Sequence, residues 1–262
     1  MLGAIIGDIA GSRFEWKPIK QKEFELLSHA GGCGPTDDSI MTIAIAQAIL
    51  DCDGDYSFLG EKATQRMQQW GRNYPHAGYG GRFMGWLEAE KPQPYNSFGN
   101  GSAMRVSPCA YAVGTLDEAV ALSRAVTEVT HNHHEGIKGA EAVTVAIFMA
   151  LHGSDKSEIR DYIDRNYYPM DFTLDGIREG YSSDVTCQGS VPQSIMAFLE
   201  STDYEDAIRG AISLGGDADT QAAIAGSIAE AYYGIPEDLR RHALTFLDDE
   251  MVEVVRRFEE RF

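Results

Sequence analysis

The sequence contains few cysteines and no long apolar run. Its four cysteines, Cys33, Cys52, Cys109 and Cys187, are widely separated and form no CxxC pair. This spacing argues against a zinc ribbon, a thioredoxin-like site and a disulfide framework, so we expect a reducing compartment, the cytoplasm. No stretch approaches the ~18 uninterrupted apolar residues that a membrane span needs, and the N-terminus lacks the basic region of a signal peptide. We therefore expect no membrane association and no export.

Basic residues are also scarce. The 22 lysines and arginines face 40 aspartates and glutamates, and the formal net charge is −18. Binding to nucleic acid depends on neutralising phosphates with basic side chains, so this composition argues against a nucleic acid partner. Most of the acidic excess is interpreted as a solvated surface, and a smaller part as carboxylates collected to hold cations. The composition predicts no particular oligomeric state.

Strand signals are sparse, and helical patterns cover most of the chain. Residues with the apolar spacing of helices fall in four segments: 39–50, 115–127, 135–151 and 220–233. The first segment is apolar on nearly all sides, as expected for a buried helix, and Thr115 with Glu118 forms a capping-box pattern before the second. A pair of amphipathic helices follows Pro236. Without a linker, a repeat or a βαβ alternation, we predict one all-α domain over residues 1–262.

Small residues cluster in the first helical segment, where Gly3, Gly7, Ala10 and Gly11 follow one another closely. Such residues let helices approach each other. Helix packing is therefore one interpretation of this pattern.

Two short segments place paired carboxylates and a hydroxyl at the start of a predicted helix. Thr36-Asp37-Asp38 begins the first, and Asp217-Ala-Asp219-Thr220 begins the alanine-rich one. N-capping explains one acid per helix, but adjacent carboxylates repel unless a cation intervenes. Hard oxygen ligands without a nearby cysteine or histidine suit Mg²⁺, Mn²⁺ or Ca²⁺ rather than zinc. If the two helices pack side by side, the site would hold two ions ~3.5–4 Å apart.

These two clusters and three further segments resemble the ADP-ribosylglycohydrolase family. The matching segments, in the family's order, are Gly3–Glu15, Thr36–Ser39, Asn96–Arg105, Thr130–Ala140 and Leu214–Thr220. Each segment alone is a weak signal, whereas five in order over residues 3–220 are specific. The resemblance implies a compact all-α fold and hydrolysis of the bond that joins ADP-ribose to an acceptor, either a protein side chain or a small molecule.

The resemblance also implies roles for individual residues. The ligands of two Mg²⁺ or Mn²⁺ ions would be Thr36, Asp37, Asp38, Asp217, Asp219 and Thr220. The residues that contact ADP-ribose would be Gly78, Gly80, Ser97, Phe98, Asn100 and His131. Glu15 matches a mobile glutamate that approaches the second metal. Either Glu15 or Asp38 would take the proton of the attacking water, and the sequence does not choose between them.

The neighbouring histidines, His133 and His134, have another interpretation. They lack the i,i+4 spacing of zinc ligands on one helix face, so we assign them capping or surface roles.

Two alternatives to this function remain open at this point. One is a catalytically silent ADP-ribose binder or a structural relative. The other is a two-metal phosphohydrolase, because Asp217-Ala-Asp219-Thr220 also fits the DxDxT motif of haloacid-dehalogenase phosphatases. That motif should follow a hydrophobic strand near the N-terminus, whereas here it lies late in the chain and opens a predicted helix. The acceptor itself, for example arginine or serine, is not indicated by any spacing.

Overall fold

Helices account for nearly all the regular structure of the computed structural model, which describes residues 1–262. In chain order they are α1 Leu2–Gly11, α2 Asp37–Cys52, α3 Leu59–Asn73, α4 Gly81–Glu88, α5 Ser107–Tyr111, α6 Leu116–Glu128, α7 His134–Leu151, α8 Lys156–Asn166, α9 Leu174–Arg178, α10 Cys187–Glu200, α11 Tyr204–Ile212, α12 Ala218–Tyr233, α13 Glu237–Leu244 and α14 Asp249–Arg261. The one extended pairing is an isolated antiparallel bridge between Gly99 and Thr186. The all-α prediction is confirmed. None of the helices is both long and apolar enough to span a membrane.

The four predicted helical segments correspond to α2, α6, α7 and α12. Helix α2 begins two residues earlier than predicted, at Asp37, and α12 begins at Ala218. The prediction at Thr115 is half right: its hydroxyl accepts a hydrogen bond from the Glu118 amide at 3.3 Å. The Glu118 carboxylate accepts from the Thr115 hydroxyl instead of capping the Thr115 amide. The reciprocal half of the capping box is therefore missing.

The N-terminal helix α1 lies directly against α12 in the middle of the molecule. Every residue of α1 is buried, and its glycines face backbone atoms of α12. A Cβ atom at Gly7 would overlap the carbonyl of Ala222, and one at Gly11 would overlap the carbonyl of Ala218. Only glycine permits backbones to approach this closely. The small residues of the first segment therefore serve helix packing, and this contact carries Asp8 of α1 to the start of α12.

Candidate active site

Three aspartates from distant parts of the chain meet at the buried ends of three helices. Asp8 lies in α1, Asp38 in the first turn of α2 and Asp219 in the first turn of α12, and one oxygen of each lies within 4.8 Å of the others. The Thr220 hydroxyl donates to Oδ2 of Asp38 at 3.2 Å, across 182 positions of sequence. The two aspartate clusters are thus neighbours in space.

Asp8 caps helix α2 from a different helix. Its Oδ2 accepts hydrogen bonds from the amides of Thr36 and Ser39, at 2.8 and 3.0 Å, and also from the Ser39 hydroxyl. Its Oδ1 accepts from the Thr36 hydroxyl at 2.5 Å. Two of the orphan amides at the start of α2 are therefore satisfied by Asp8 and not by Asp37 or Asp38.

Helix α12 likewise begins without a cap from its first acid. Asp217 is the N-cap residue, but its side chain accepts no hydrogen bond from the helix. Its Oδ2 accepts instead from the side-chain amide of Asn100 at 2.6 Å. N-capping alone does not account for either cluster, because neither Thr36 nor Asp217 caps the helix that follows it.

The electrostatics of the site are those of carboxylates held together away from water. Asp38 and Asp219 are 2% and 4% exposed. Burial and the neighbouring carboxylates raise the pKa values of Asp38 and Asp219 well above the usual range of an aspartate. The same causes raise the pKa of Asp37 to about 8. Oδ1 of Asp38 is buried and has no hydrogen-bond partner. A buried acceptor without a donor is costly, so this oxygen marks a place where a cation would fit.

The acidic end opens into a cavity of about 630 Å³. Predicted site residues that line it are Glu15, Asp37, Asp38, Gly78, Gly80, Ser97, Asn100, His131, Asp217, Asp219 and Thr220. Thr36 and Phe98 are not among the lining residues. The hydroxyl of Thr36 lies against Asp8, and the Phe98 ring, which is 42% exposed, lies 5.2 Å from the ring of His133.

Two loops shape the cavity wall beside the acids. Asn96 adopts a positive φ of 54°, and the Asn100 amide donates to the carbonyl of Val185 at 2.8 Å. On the other side, Gly78 has a φ of 101°, a conformation that favours glycine. The Asp37 amide donates to the carbonyl of Ala77 at 2.8 Å, which ties the glycine segment to the first aspartate cluster.

The three histidines after Thr130 lie in different surroundings. His131 is 5% exposed and faces the cavity. The His133 ring caps α7 by accepting from the Glu135 amide at 3.1 Å, and His134 lies largely in solvent. The capping and surface roles expected for His133 and His134 are confirmed.

Several lining residues were not identified from the sequence. Arg82, Tyr95 and Arg105 line the part of the cavity near His131, and Asp8 supports the acidic end. Asp8 and Arg105 lie inside segments that carried the family resemblance, which is the one signal that could have identified them. Their contacts are all long-range, so no local spacing reveals them.

The phosphatase interpretation of Asp217-Ala-Asp219-Thr220 is wrong. The element that precedes these residues is the helix α11, followed by a turn containing Gly215 with a φ of 63°. The structure contains no strand that would carry the DxDxT nucleophile of a haloacid-dehalogenase phosphatase.

Comparisons with known proteins show what this chain is similar to. A model of the ADP-ribosylglycohydrolase family matches residues 1–262. The chain is 26% identical over 265 residues to the ADP-ribosylarginine hydrolase Tri1 of Pseudomonas putida, covering 90% of this chain and 70% of that protein. It is 25% identical over 312 residues to the ADP-ribosylhydrolase ARH3 of Mus musculus, covering 90% and 83%. A solved structure titled ADP-ribosylglycohydrolase-related protein complex superposes with a TM-score of 0.74 at 25% identity, covering 99% of this chain and 95% of that one.

Proposed function

The chain belongs to the ADP-ribosylglycohydrolase family, and we propose that it hydrolyses the glycosidic bond between ADP-ribose and an acceptor with the help of two divalent metal ions, Mg²⁺ or Mn²⁺. The acceptor is a protein side chain or a small molecule. The observation that carries the proposal is that the buried carboxylates of Asp38 and Asp219 lie close together at one end of a large cavity. One oxygen of Asp38 has no hydrogen-bond donor.

The residues at this end fit divalent cations. All donors are carboxylate or hydroxyl oxygens, which Mg²⁺ and Mn²⁺ prefer, and positive charge between the acids removes the repulsion that opposes their burial. We assign the ligand set to Thr36, Asp37, Asp38, Asp217, Asp219 and Thr220. Asp8 belongs to the same acidic group, but both of its oxygens accept hydrogen bonds from Thr36 and Ser39. We therefore assign Asp8 to capping α2 and not to metal binding.

The reaction requires a site that stabilises positive charge on the ribose and holds ADP-ribose in place. Departure of the acceptor builds positive charge on the ribose, an oxocarbenium-like state, and the carboxylates at this end of the cavity lower the energy of that charge. When bound, the two ions supply Lewis-acid chemistry at the ribose. Ser97, Asn100 and His131 line the same cavity and are assigned to holding ADP-ribose, together with Gly78, Gly80 and Phe98.

A carboxylate must also take the proton of the attacking water. Asp38 is almost fully buried and already accepts from the Thr220 hydroxyl. Glu15 also lines the cavity but is half-buried, so water reaches its carboxylate more easily. We assign the proton acceptor to Glu15.

The test is a hydrolysis panel with arginine-linked and serine-linked ADP-ribose substrates. We expect release of ADP-ribose from at least one of them with millimolar Mg²⁺ or Mn²⁺, and loss of release after chelation with EDTA. The Glu15→Gln variant should lose roughly a hundredfold or more in kcat, the usual contribution of a general base.

Other results would contradict the proposal in distinguishable ways. Undiminished turnover after thorough chelation would exclude the metal-assisted mechanism. Tight binding of ADP-ribose by calorimetry, with no turnover of any substrate, would instead favour the catalytically silent binder. The cytoplasm remains the proposed compartment, on the ground that all four cysteines are free.

A further inference from the structure

A buried arginine lies next to the histidine of the cavity. Arg105 is 1% exposed, and the acceptors of its hydrogen bonds are the Val126 carbonyl, at 3.5 Å, and a hydroxyl, not a carboxylate. Its Nη2 donates to the hydroxyl of Thr130 at 2.7 Å, and that hydroxyl lies 2.7 Å from Nδ1 of His131. Burial lowers the pKa of Arg105 only to about 10, so the guanidinium is charged at neutral pH. The three side chains form one hydrogen-bonded chain from the core to the cavity.

Counting protons along this series of side chains favours one direction for its hydrogen bonds. A guanidinium only donates, so the Thr130 oxygen accepts from Arg105 and has one proton of its own to give. The carbonyl of Thr127 is the competing acceptor, at 3.3 Å. That carbonyl already accepts from the amides of Thr130 and His131, at 3.1 and 2.8 Å. The distances and the occupied carbonyl favour donation of the hydroxyl proton to Nδ1 of His131, the nearer acceptor.

The other ring nitrogen of His131 then carries the imidazole proton. Burial, Arg105 and Arg82 all lower the pKa of His131, so the ring is neutral and has a single N–H. Nε2 of His131 makes no hydrogen bond with any other group of the protein. The positions beside it are Gly99 and Gly101, where an added Cβ would stand 3.6 Å from Nε2. The absence of side chains there leaves this nitrogen open to the cavity.

We propose that Arg105 and Thr130 are positioning residues, which hold His131 in the tautomer whose Nε2–H points into the cavity as a hydrogen-bond donor to ADP-ribose. The part that concerns ADP-ribose rests on the proposed function. The tautomer assignment rests only on the contacts of these three residues and of the Thr127 carbonyl. A donor at Nε2 suits the acceptor-rich chemistry of ribose and phosphate oxygens.

The test compares Thr130→Val, which removes the hydroxyl at nearly constant shape, with Thr130→Ser, which keeps it. Thr127→Val is the matched control, because the Thr127 hydroxyl is buried but has no hydrogen-bond partner. Long-range ¹H–¹⁵N spectra of ¹⁵N-histidine-labelled full-length protein report the tautomer, and His131→Asn assigns the His131 signal. Calorimetry with ADP-ribose, and KM and kcat with a hydrolysed substrate, report the consequence.

We expect the Nε2–H tautomer in wild type, Thr130→Ser and Thr127→Val, and a mixture of both tautomers in Thr130→Val. ADP-ribose should bind Thr130→Val roughly threefold to tenfold more weakly, the effect of one impaired hydrogen bond, with KM changed more than kcat. An Nδ1–H tautomer in wild type would overturn the proposal even if no variant folds. Unchanged affinity of Thr130→Val would overturn the positioning role. If wild type shows the Nε2–H tautomer but binds no ADP-ribose, the tautomer assignment stands and the proposed function fails.

Discussion

Replacing Asp219 by Asn tests the acidic centre through protein stability, without a known substrate. Asn has the same shape, and its carbonyl oxygen can still accept the Thr220 amide, which now donates to Asp219 at 2.9 Å. The change removes one negative charge from a group in which oxygens of Asp8, Asp38 and Asp219 lie within 4.8 Å. Two unit charges at this range repel by roughly 3–4 kcal/mol at an effective dielectric constant of about 20.

The expected magnitude follows from that repulsion and from ligand binding. Without metal, proton uptake already relieves part of the repulsion, because the pKa values of Asp38 and Asp219 are raised. Metal-free Asp219→Asn should therefore melt at or above the temperature of metal-free wild type. A cation at a hundredfold excess over its dissociation constant stabilises wild type by about 2.7 kcal/mol. For a domain of this size that corresponds to roughly 5–10 °C in Tm, most of which the variant should lose.

The assay is thermal melting of both proteins with EDTA and with millimolar Mg²⁺ or Mn²⁺. Asp249→Asn is the control, because Asp249 also lies in the first turn of a helix but is exposed. It should keep the full metal-induced shift. If the acids served only as caps, wild type would respond little to metal and Asp219→Asn would be almost unchanged, since Asn caps about as well as Asp. If neither metal raises the Tm of wild type, the proposal that the two aspartate clusters together bind metal is refuted.

The remaining predictions concern the ligand side and the core. Ser97→Ala and His131→Ala should each bind ADP-ribose about threefold to tenfold more weakly in calorimetry. Both variants should keep the metal-induced shift in Tm. Loss of that shift would mean that the residue concerned belongs to the metal-binding part of the site and not to the ADP-ribose-binding part. Gly7→Ala should destabilise the protein by about 1–3 kcal/mol or more in denaturant unfolding, because its methyl group would overlap the backbone at Ala222. Gly85→Ala, in a helix with open space around the position, should not destabilise it and instead gains helix propensity.

The sequence was sufficient for features that depend on neighbours along the chain. The all-round apolar pattern of residues 39–50 predicted the buried helix α2, and the alanine-rich segment predicted α12. Both patterns are local, because a helix repeats every 3.6 residues and its ends are set within one turn. Two acids and a hydroxyl at each helix start also exceeded what capping requires. The two helix starts that carry the acids could therefore be predicted from composition and spacing, while metal binding by them stays a prediction.

The tertiary structure decided which groups are free to act and which are already engaged. In the sequence, Asp8 is one more acid in a segment that carries the family resemblance. In the structure it contacts Thr36 and Ser39, which are about 30 positions away along the chain. Those contacts exist because α1 lies beside the first turn of α2 in the folded chain. Asp37 and Asp38 are left without a capping role as a result. Such assignments depend on which helices pack together, and local patterns do not encode that.

The histidine side of the cavity shows the same limit. The sequence singled out His131, but not the nitrogen that its ring presents to the cavity. That choice depends on Arg105, whose guanidinium reaches Thr130 across 25 positions, and on a Thr127 carbonyl already occupied by two amides. The sequence determines which hydrogen-bond donors and acceptors the protein has. Burial and packing in the tertiary structure decide which of them remain unpaired and face the cavity.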